Sequence, residues 1–315
     1  MKIKNLVLTI LLAFVSIFTL SSCGGLEIEG NKNEISIIAP TGTPTLLLGK
    51  SIEEYGRIDT EIVSGPQALS AEFIKGKKDI IIAPINLGAK LASSTEDFQY
   101  VMFHTLVWCN YYIVSREEIT SFEQLHQKDI TIFGQNSTPD VIFRSLVKHH
   151  NIEPNVTYMA SVADANKMLL ANGADIILSA EPALSSVLQK GTFYVYSLAD
   201  AWTKMAGFDG ADVPQAAIFV NKASIEKTKT FLSLVEKNVK NVENEKEEVV
   251  AAAKRVDKLL VANESVLVNA ISRCNFKIVE NEQESINIYF QKVIDLGIGA
   301  TVGGKLPDEE FYYQK

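Results

Sequence analysis

Short apolar runs alternate with helical periodicity along most of the chain. Ile35-Ser-Ile-Ile-Ala is β-like; a small-residue loop then leads to Thr43-Pro44, and Leu46, Leu47 and Ile52 follow at helical spacing. The same pattern returns without a gap at Ile130-Thr-Ile-Phe, through Gly134-Gln-Asn-Ser to Thr138-Pro139, with Val141, Ile142 and Leu146 beyond. Thr as the N-cap with Pro at the first helical position predicts a helix start, because proline lacks only an N–H that the first turn leaves unpaired anyway. A second pair of runs matches downstream. Asp79-Ile-Ile-Ile-Ala-Pro84 corresponds to Asp175-Ile-Ile-Leu-Ser179, each after a helix-like stretch and a glycine. The two copies keep nearly equal internal spacing, so the pattern predicts two parallel βαβ units with right-handed crossovers.

Tyr100–Ser115 and Gln215–Asn221 are read as the strands that cross between the copies, out and back. From Ser224 the periodicity is helical, over 224–244, 245–261, 263–273 and 282–296, with Glu and Lys on exposed faces. The expectation is an α/β chain of two similar α/β lobes joined by a two-strand hinge, with C-terminal helices on the first lobe. Residues 34–109 plus 221–315 make lobe 1, and 110–220 make lobe 2.

Composition narrows the class. Of 315 residues, 47% are apolar and 22% charged, enough apolar material for a large folded core. The net charge of −8, with no basic stripe, argues against nucleic acid as a partner. Three cysteines without close spacing support neither a disulfide scaffold nor a thiolate metal site. The four histidines show no metal spacing beyond the adjacent His149-His150, which point about 100° apart on a helix. No nucleophile elbow, zinc motif, phosphate loop or dinucleotide fingerprint occurs. Ser224-Ile-Glu-Lys227 reads as a helix cap rather than a catalytic pair. No catalytic residue, metal or cofactor is assigned, and the chain is expected not to be an enzyme.

The N-terminus reads as an address. Lys2 and Lys4 precede an uncharged apolar run, Leu6–Leu20, and then Leu20-Ser-Ser-Cys23-Gly-Gly25. This resembles the bacterial lipobox, in which the cysteine becomes lipidated. Residues 1–22 would be a lipoprotein signal peptide, Cys23 the lipid-bearing residue and 23–33 a polar tether. The chain would be exported and anchored to the outer face of the cell membrane.

With the Thr41-Gly-Thr-Pro44 loop, Asp79–Pro84 before Asn86, Gly134–Pro139, Glu181-Pro182 and the terminal Gly303–Asp308 with Phe311-Tyr312, the order of motifs resembles a known family. It is that of the type II substrate-binding proteins of ABC importers, in the nitrate, sulfonate and taurine branch that includes thiamin-precursor binders. The resemblance implies a periplasmic-binding-protein fold, a monomer, and closure of two lobes on one small polar, aromatic or anionic molecule for delivery to a membrane permease. This chain departs from an anion binder in having no basic residue in either front loop.

Ligands of open α/β sheets sit beyond the carboxyl ends of the strands. Thr41, Gly42 and Thr43 in the first copy, and Gln135, Asn136, Ser137 and Thr138 in the second, would present helix N-termini and loop N–H groups to an anion or polar acceptor. Asn86 and Glu181 follow the third strand of each copy, and Glu181 would pair with a ligand amine or ring N–H. Trp108 and Asn110 on the outward crossing, and Gln215 on the return, complete the candidate set. Two other readings stay open: a same-fold enzyme such as a menaquinone-pathway dehydratase, and a sensory lipoprotein without transport.

Overall fold

The computed structural model describes residues 34–206, 212–260, 262–279 and 282–314. The leader, Cys23 and the tether lie outside the described residues. The first copy runs β1 (Ile35–Pro40), α1 (Thr43–Tyr55), β2 (Ile58–Val63), α2 (Pro66–Lys75), β3 (Ile80–Pro84) and α3 (Ile85–Ser94). Strands β4 (Tyr100–Trp108) and β5 (Tyr111–Ser115) follow, parted only by Cys109 and Asn110. The second copy runs β6 (Asp129–Phe133), α4 (Thr138–His150), β7 (Asn155–Met159), α5 (Val162–Leu170), β8 (Ile176–Ala180) and α6 (Ala183–Leu188). After β9 (Tyr194–Ser197) and α7 (Leu198–Ala206) come β10 (Pro214–Asn221) and four helices, α8 (Ile225–Asn241), α9 (Lys246–Val256), α10 (Glu264–Ile271) and α11 (Glu282–Asp295).

Two five-stranded sheets result, ordered β2-β1-β3-β10-β4 and β7-β6-β8-β5-β9. In each, the first three strands are parallel, and the fourth runs antiparallel to both its neighbours. The duplication is therefore structural, and the fourth strand of each sheet comes from outside its own copy. This is the periplasmic-binding-protein type II arrangement. Central strands β1 and β3 are covered on both faces, which is why they read as isoleucine runs rather than as alternation: Ile35, Ile37, Ile38, Ile80, Ile81 and Ile82 are all buried. One apolar cluster continues from Ile38 and Phe73 in the first lobe to Ile130, Leu146 and Trp202 in the second, with Tyr289 and Phe290 of α11.

Asp79, the repeat residue just before β3, is a polar pin. Its carboxylate accepts from the Ser36 N–H (2.8 Å) and hydroxyl (2.9 Å), from Ser224 Oγ (2.5 Å) and from Lys227 Nζ (2.8 Å). It ties β1 and β3 to the start of α8. Helices α1 and α9 cross so closely that a Cβ on Gly49 would lie 2.4 Å from the Ala253 Cα.

Three expectations need adjustment. Strand β10 does not cross between lobes; it pairs along its length with β3 and β4 in the first sheet, so the 110–220 boundary puts a first-lobe strand in the second lobe. The return crossing lies before Pro214, because the apolar run from Ala216 to Val220 is long enough to fill a complete central strand. Helices α8 and α9 pack on α1, in the first lobe as expected, whereas α10 also reaches α6 and α11 also reaches α4, both in the second lobe. The helix caps are Gly42 and Ser137, one residue before each threonine.

Candidate functional site

The carboxyl ends of β1 and β3 face those of β6 and β8 across the two lobes, and the loops there touch. Thr43 Oγ1 donates to the Glu181 carbonyl oxygen (3.2 Å), and Asn110 Nδ2 lies 3.4 Å from both the Thr43 hydroxyl and that carbonyl. One residue from each lobe and one from the outward crossing thus meet, all buried. A second meeting point is built on Tyr289 of α11. Its hydroxyl donates to Thr138 Oγ1 (3.2 Å) at the start of α4 and lies beside the Asn86 amide of α3. Burial pushes the Tyr289 phenol up to about 12, so it is a neutral donor at physiological pH. Trp202 packs against it, ring centroids 6.2 Å apart.

Strand register sets Gln215 beside the strand ends that lead into Asn110 and Asn86. Pro214 pairs with Trp108 and Ala216 with Val107, so Gln215 sits at a bulge; on the other side Ala216 faces Pro84, two residues before Asn86. Bulges re-aim a side chain out of the regular ladder.

The polar inventory singles out this region. Among the described residues, seven buried side-chain N or O atoms have no hydrogen-bond partner, and four of them belong here: Asn86 Oδ1, Asn110 Oδ1, Gln215 Oε1 and Trp202 Nε1. A buried polar atom left unpaired costs about 1–3 kcal/mol. Four in one interlobe region are what a cleft built to hydrogen-bond a solute would present.

Other candidates are turned to internal partners. The Thr41 hydroxyl donates to Asp257 Oδ2 (2.7 Å), Thr45 Oγ1 to the same oxygen (2.5 Å), and the Gly42 N–H lies 3.4 Å from it. Gly42 has φ 107°, a backbone shape open to glycine that lets its N–H also meet Thr45 Oγ1 (3.1 Å). The Ser137 hydroxyl donates to the Gly134 carbonyl (2.6 Å), the Asn136 N–H to Asp140 Oδ2 (2.8 Å), and Gln135, Asn136 and Ser137 are exposed. The expected anion-binding N–H groups are thus met by carboxylates of the chain, Asp257 at α1 and Asp140 at α4. Trp108 is fully buried and donates through Nε1 to the Lys277 carbonyl (3.1 Å), which makes it core.

Glu181 is buried too, but its carboxylate accepts from Arg273 Nε (2.5 Å), the Ser185 hydroxyl (3.0 Å) and the Ser185 N–H (3.1 Å) rather than awaiting an amine. Burial raises its carboxyl above the ordinary value, against the pull of Arg273 and Ser185. The segment after α10 also holds both crossings. Asn275 Nδ2 donates to the Cys109 carbonyl (3.1 Å) and to Asp212 Oδ2 (2.7 Å), and Lys277 Nζ reaches the same Asp212 oxygen (2.7 Å). Sequence reasoning missed Asp257, Arg273, Asn275, Asp212 and Tyr289. A capping signal marked Asp140 at most, as an acidic residue in a helix's first turn.

Residues 60–294 match the family model described as menaquinone biosynthesis. The chain belongs to this menaquinone-biosynthesis family. No curated protein matches its sequence. Solved structures of the same fold are similar over most of their length. A protein described as an ABC transporter from Parabacteroides distasonis superposes with a TM-score of 0.76 at 17% identity, covering 90% of this chain and 99% of that one. The periplasmic aliphatic sulphonate binding protein of Escherichia coli gives 0.66 at 14%, covering 90% and 92%. The periplasmic nitrate-binding protein of Synechocystis gives 0.61 at 12%, covering 84% and 82%. At these identities the likeness is one of fold, and this member of the family has the fold of periplasmic solute-binding proteins.

Proposed function

We propose that the chain is an exported, lipid-anchored solute-binding protein whose two lobes close on one small molecule and deliver it to the permease of an ABC importer. The observation that carries this reading is the set of unpartnered polar atoms at the lobe boundary, drawn from α3, the outward crossing, the bulge of β10 and α7. Thr43, Thr138 and Tyr289 would complete the cleft. The fold of the sulphonate- and nitrate-binding neighbours supports the same reading, as does the lipobox-like Leu20-Ser-Ser-Cys23. Removal of residues 1–22 would leave Cys23 as the anchored terminus, and 23–33 would tether a monomer to the membrane surface.

The family match favours a second reading, an enzyme of menaquinone biosynthesis on the same fold. Export separates the two, since a pathway enzyme would work beside its cytosolic intermediates. Mass spectrometry of the N-terminal peptide from fractionated cells is the test. Diacyl or triacyl modification on Cys23 in the membrane fraction, lost with release or arrested processing in Cys23→Ala, is the expected result. An unmodified, uncleaved N-terminus in the cytosol would overturn the binding-protein reading and favour the enzyme.

A further inference from the structure

The polar atoms of the cleft specify the kind of molecule they would hold. Asn110 is oriented without ambiguity. Its side chain faces the Glu181 carbonyl, which can only accept, so Nδ2 is turned there and the unpartnered Oδ1 is an acceptor. The unpartnered atoms of Asn86 and Gln215 are amide oxygens as well, while that of Trp202 is an indole N–H, a donor only. Asn110 and Trp202 are completely buried.

Charge at the cleft is already matched. Arg273 is bound by Glu181 and Ser185, and Lys277 by Asp212. The two helix starts that could attract an oxyanion each carry a carboxylate of the chain. Asp257, itself fully buried, accepts from Thr41 and Thr45 and, through Oδ1, from the Leu259 N–H (2.9 Å). Asp140, equally buried, accepts from the Asn136 N–H and the Tyr158 hydroxyl (2.6 Å), with Arg144 3.7 Å away. An incoming anion would meet like charge where the fold otherwise offers it N–H groups.

We propose, resting on the reading of this cleft as a solute site, that its ligand is an uncharged compound presenting at least two N–H donors and one acceptor. Amide, ureide or lactam chemistry fits; an oxyanion such as nitrate or a sulfonate does not. The donors meet Asn86, Asn110 and Gln215, and the acceptor meets the Trp202 indole N–H.

Nitrogen-15 NMR of the purified chain reads the site directly, because Trp202 and Trp108 give separate indole signals that Trp202→Phe assigns. Two panels are titrated: urea, allantoin, nicotinamide and uracil against nitrate, sulfate and ethanesulfonate. At least one member of the first panel should shift the Trp202 signal saturably, and the second panel should leave it in place. Gln215→Met keeps the length of the side chain and removes the unpartnered oxygen, and should weaken that binding about two- to tenfold. An oxyanion that saturably shifts Trp202 overturns the ligand class while leaving the cleft standing as a solute site. Silence from every uncharged compound also overturns the class, and the fate of Cys23 then judges the transport reading by itself. Unchanged affinity in Gln215→Met overturns the contact assigned to that residue.

Discussion

Thr43 and Thr138 hold corresponding positions in the two copies, yet their hydroxyls have different partners, Glu181 and Asn110 for one and Tyr289 for the other. Each replacement by alanine removes about 0.5–1.5 kcal/mol of hydrogen bonding. Both alanine variants should unfold at lower denaturant concentration and bind a cleft ligand about two- to tenfold more weakly, while the serine variants keep the hydroxyl and stay close to wild type. Equilibrium unfolding and calorimetric titration, run side by side, check this; alanine variants that bind as tightly as wild type would make both threonines structural alone. At this scale the sequence pattern placed Thr43, Asn86, Asn110, Thr138 and Gln215 at helix starts and strand ends, which carry local signals. It did not reveal that Thr41 and Gly42 serve Asp257. That partner lies 216 residues from Thr41, and no local pattern marks it.

Between elements, the contact of α1 with α9 depends on a missing side chain. Gly49→Ala would set a methyl 2.4 Å from the Ala253 Cα, so the helices must separate, at a cost of about 1–3 kcal/mol. Thermal unfolding should show a lower midpoint, and an unaltered one would mean that the crossing yields freely. The Asp79 pin gives a pH signature. Burial alone would raise its carboxyl, but hydrogen bonds from Lys227, Ser224 and Ser36 together hold it below the ordinary value. A group depressed in the folded state stabilises above its unfolded value and loses that contribution as pH falls through the folded one. Asp79→Asn should therefore cost about 1–3 kcal/mol near neutral pH, and the gap from wild type should close below about pH 4. Urea unfolding across pH measures it; a constant gap would show that charge plays no part. The C-terminal helices were legible in number and nearly in extent, since the 3.6-residue periodicity of 224–244 and 282–296 is local. That α10 and α11 reach the second lobe was not, because either lobe offers an apolar face to such a helix.

For the molecule as a whole, the Arg273–Glu181 pair links the segment after α10 to the second lobe, at the same place where Thr43 meets the Glu181 carbonyl. Arg273→Gln weakens that link while keeping a polar side chain. Small-angle scattering should then give a larger radius of gyration than wild type, as the lobes part about the crossings at Cys109–Asn110 and before Pro214. An identical profile would show that other contacts hold the lobes together. Periodicity and duplication alone determined that the chain makes two βαβ units of one topology, where their helices start to within one residue, and that their loops lie at equivalent ends, because these follow from neighbours in sequence. Only the tertiary structure decided that β10 completes the first sheet, that Asp257 and Asp140 occupy the helix starts, and that Tyr289 stands between Asn86 and Thr138. Those choices rest on which distant groups satisfy one another's charge and hydrogen bonds once water is excluded, and no spacing along the chain encodes that.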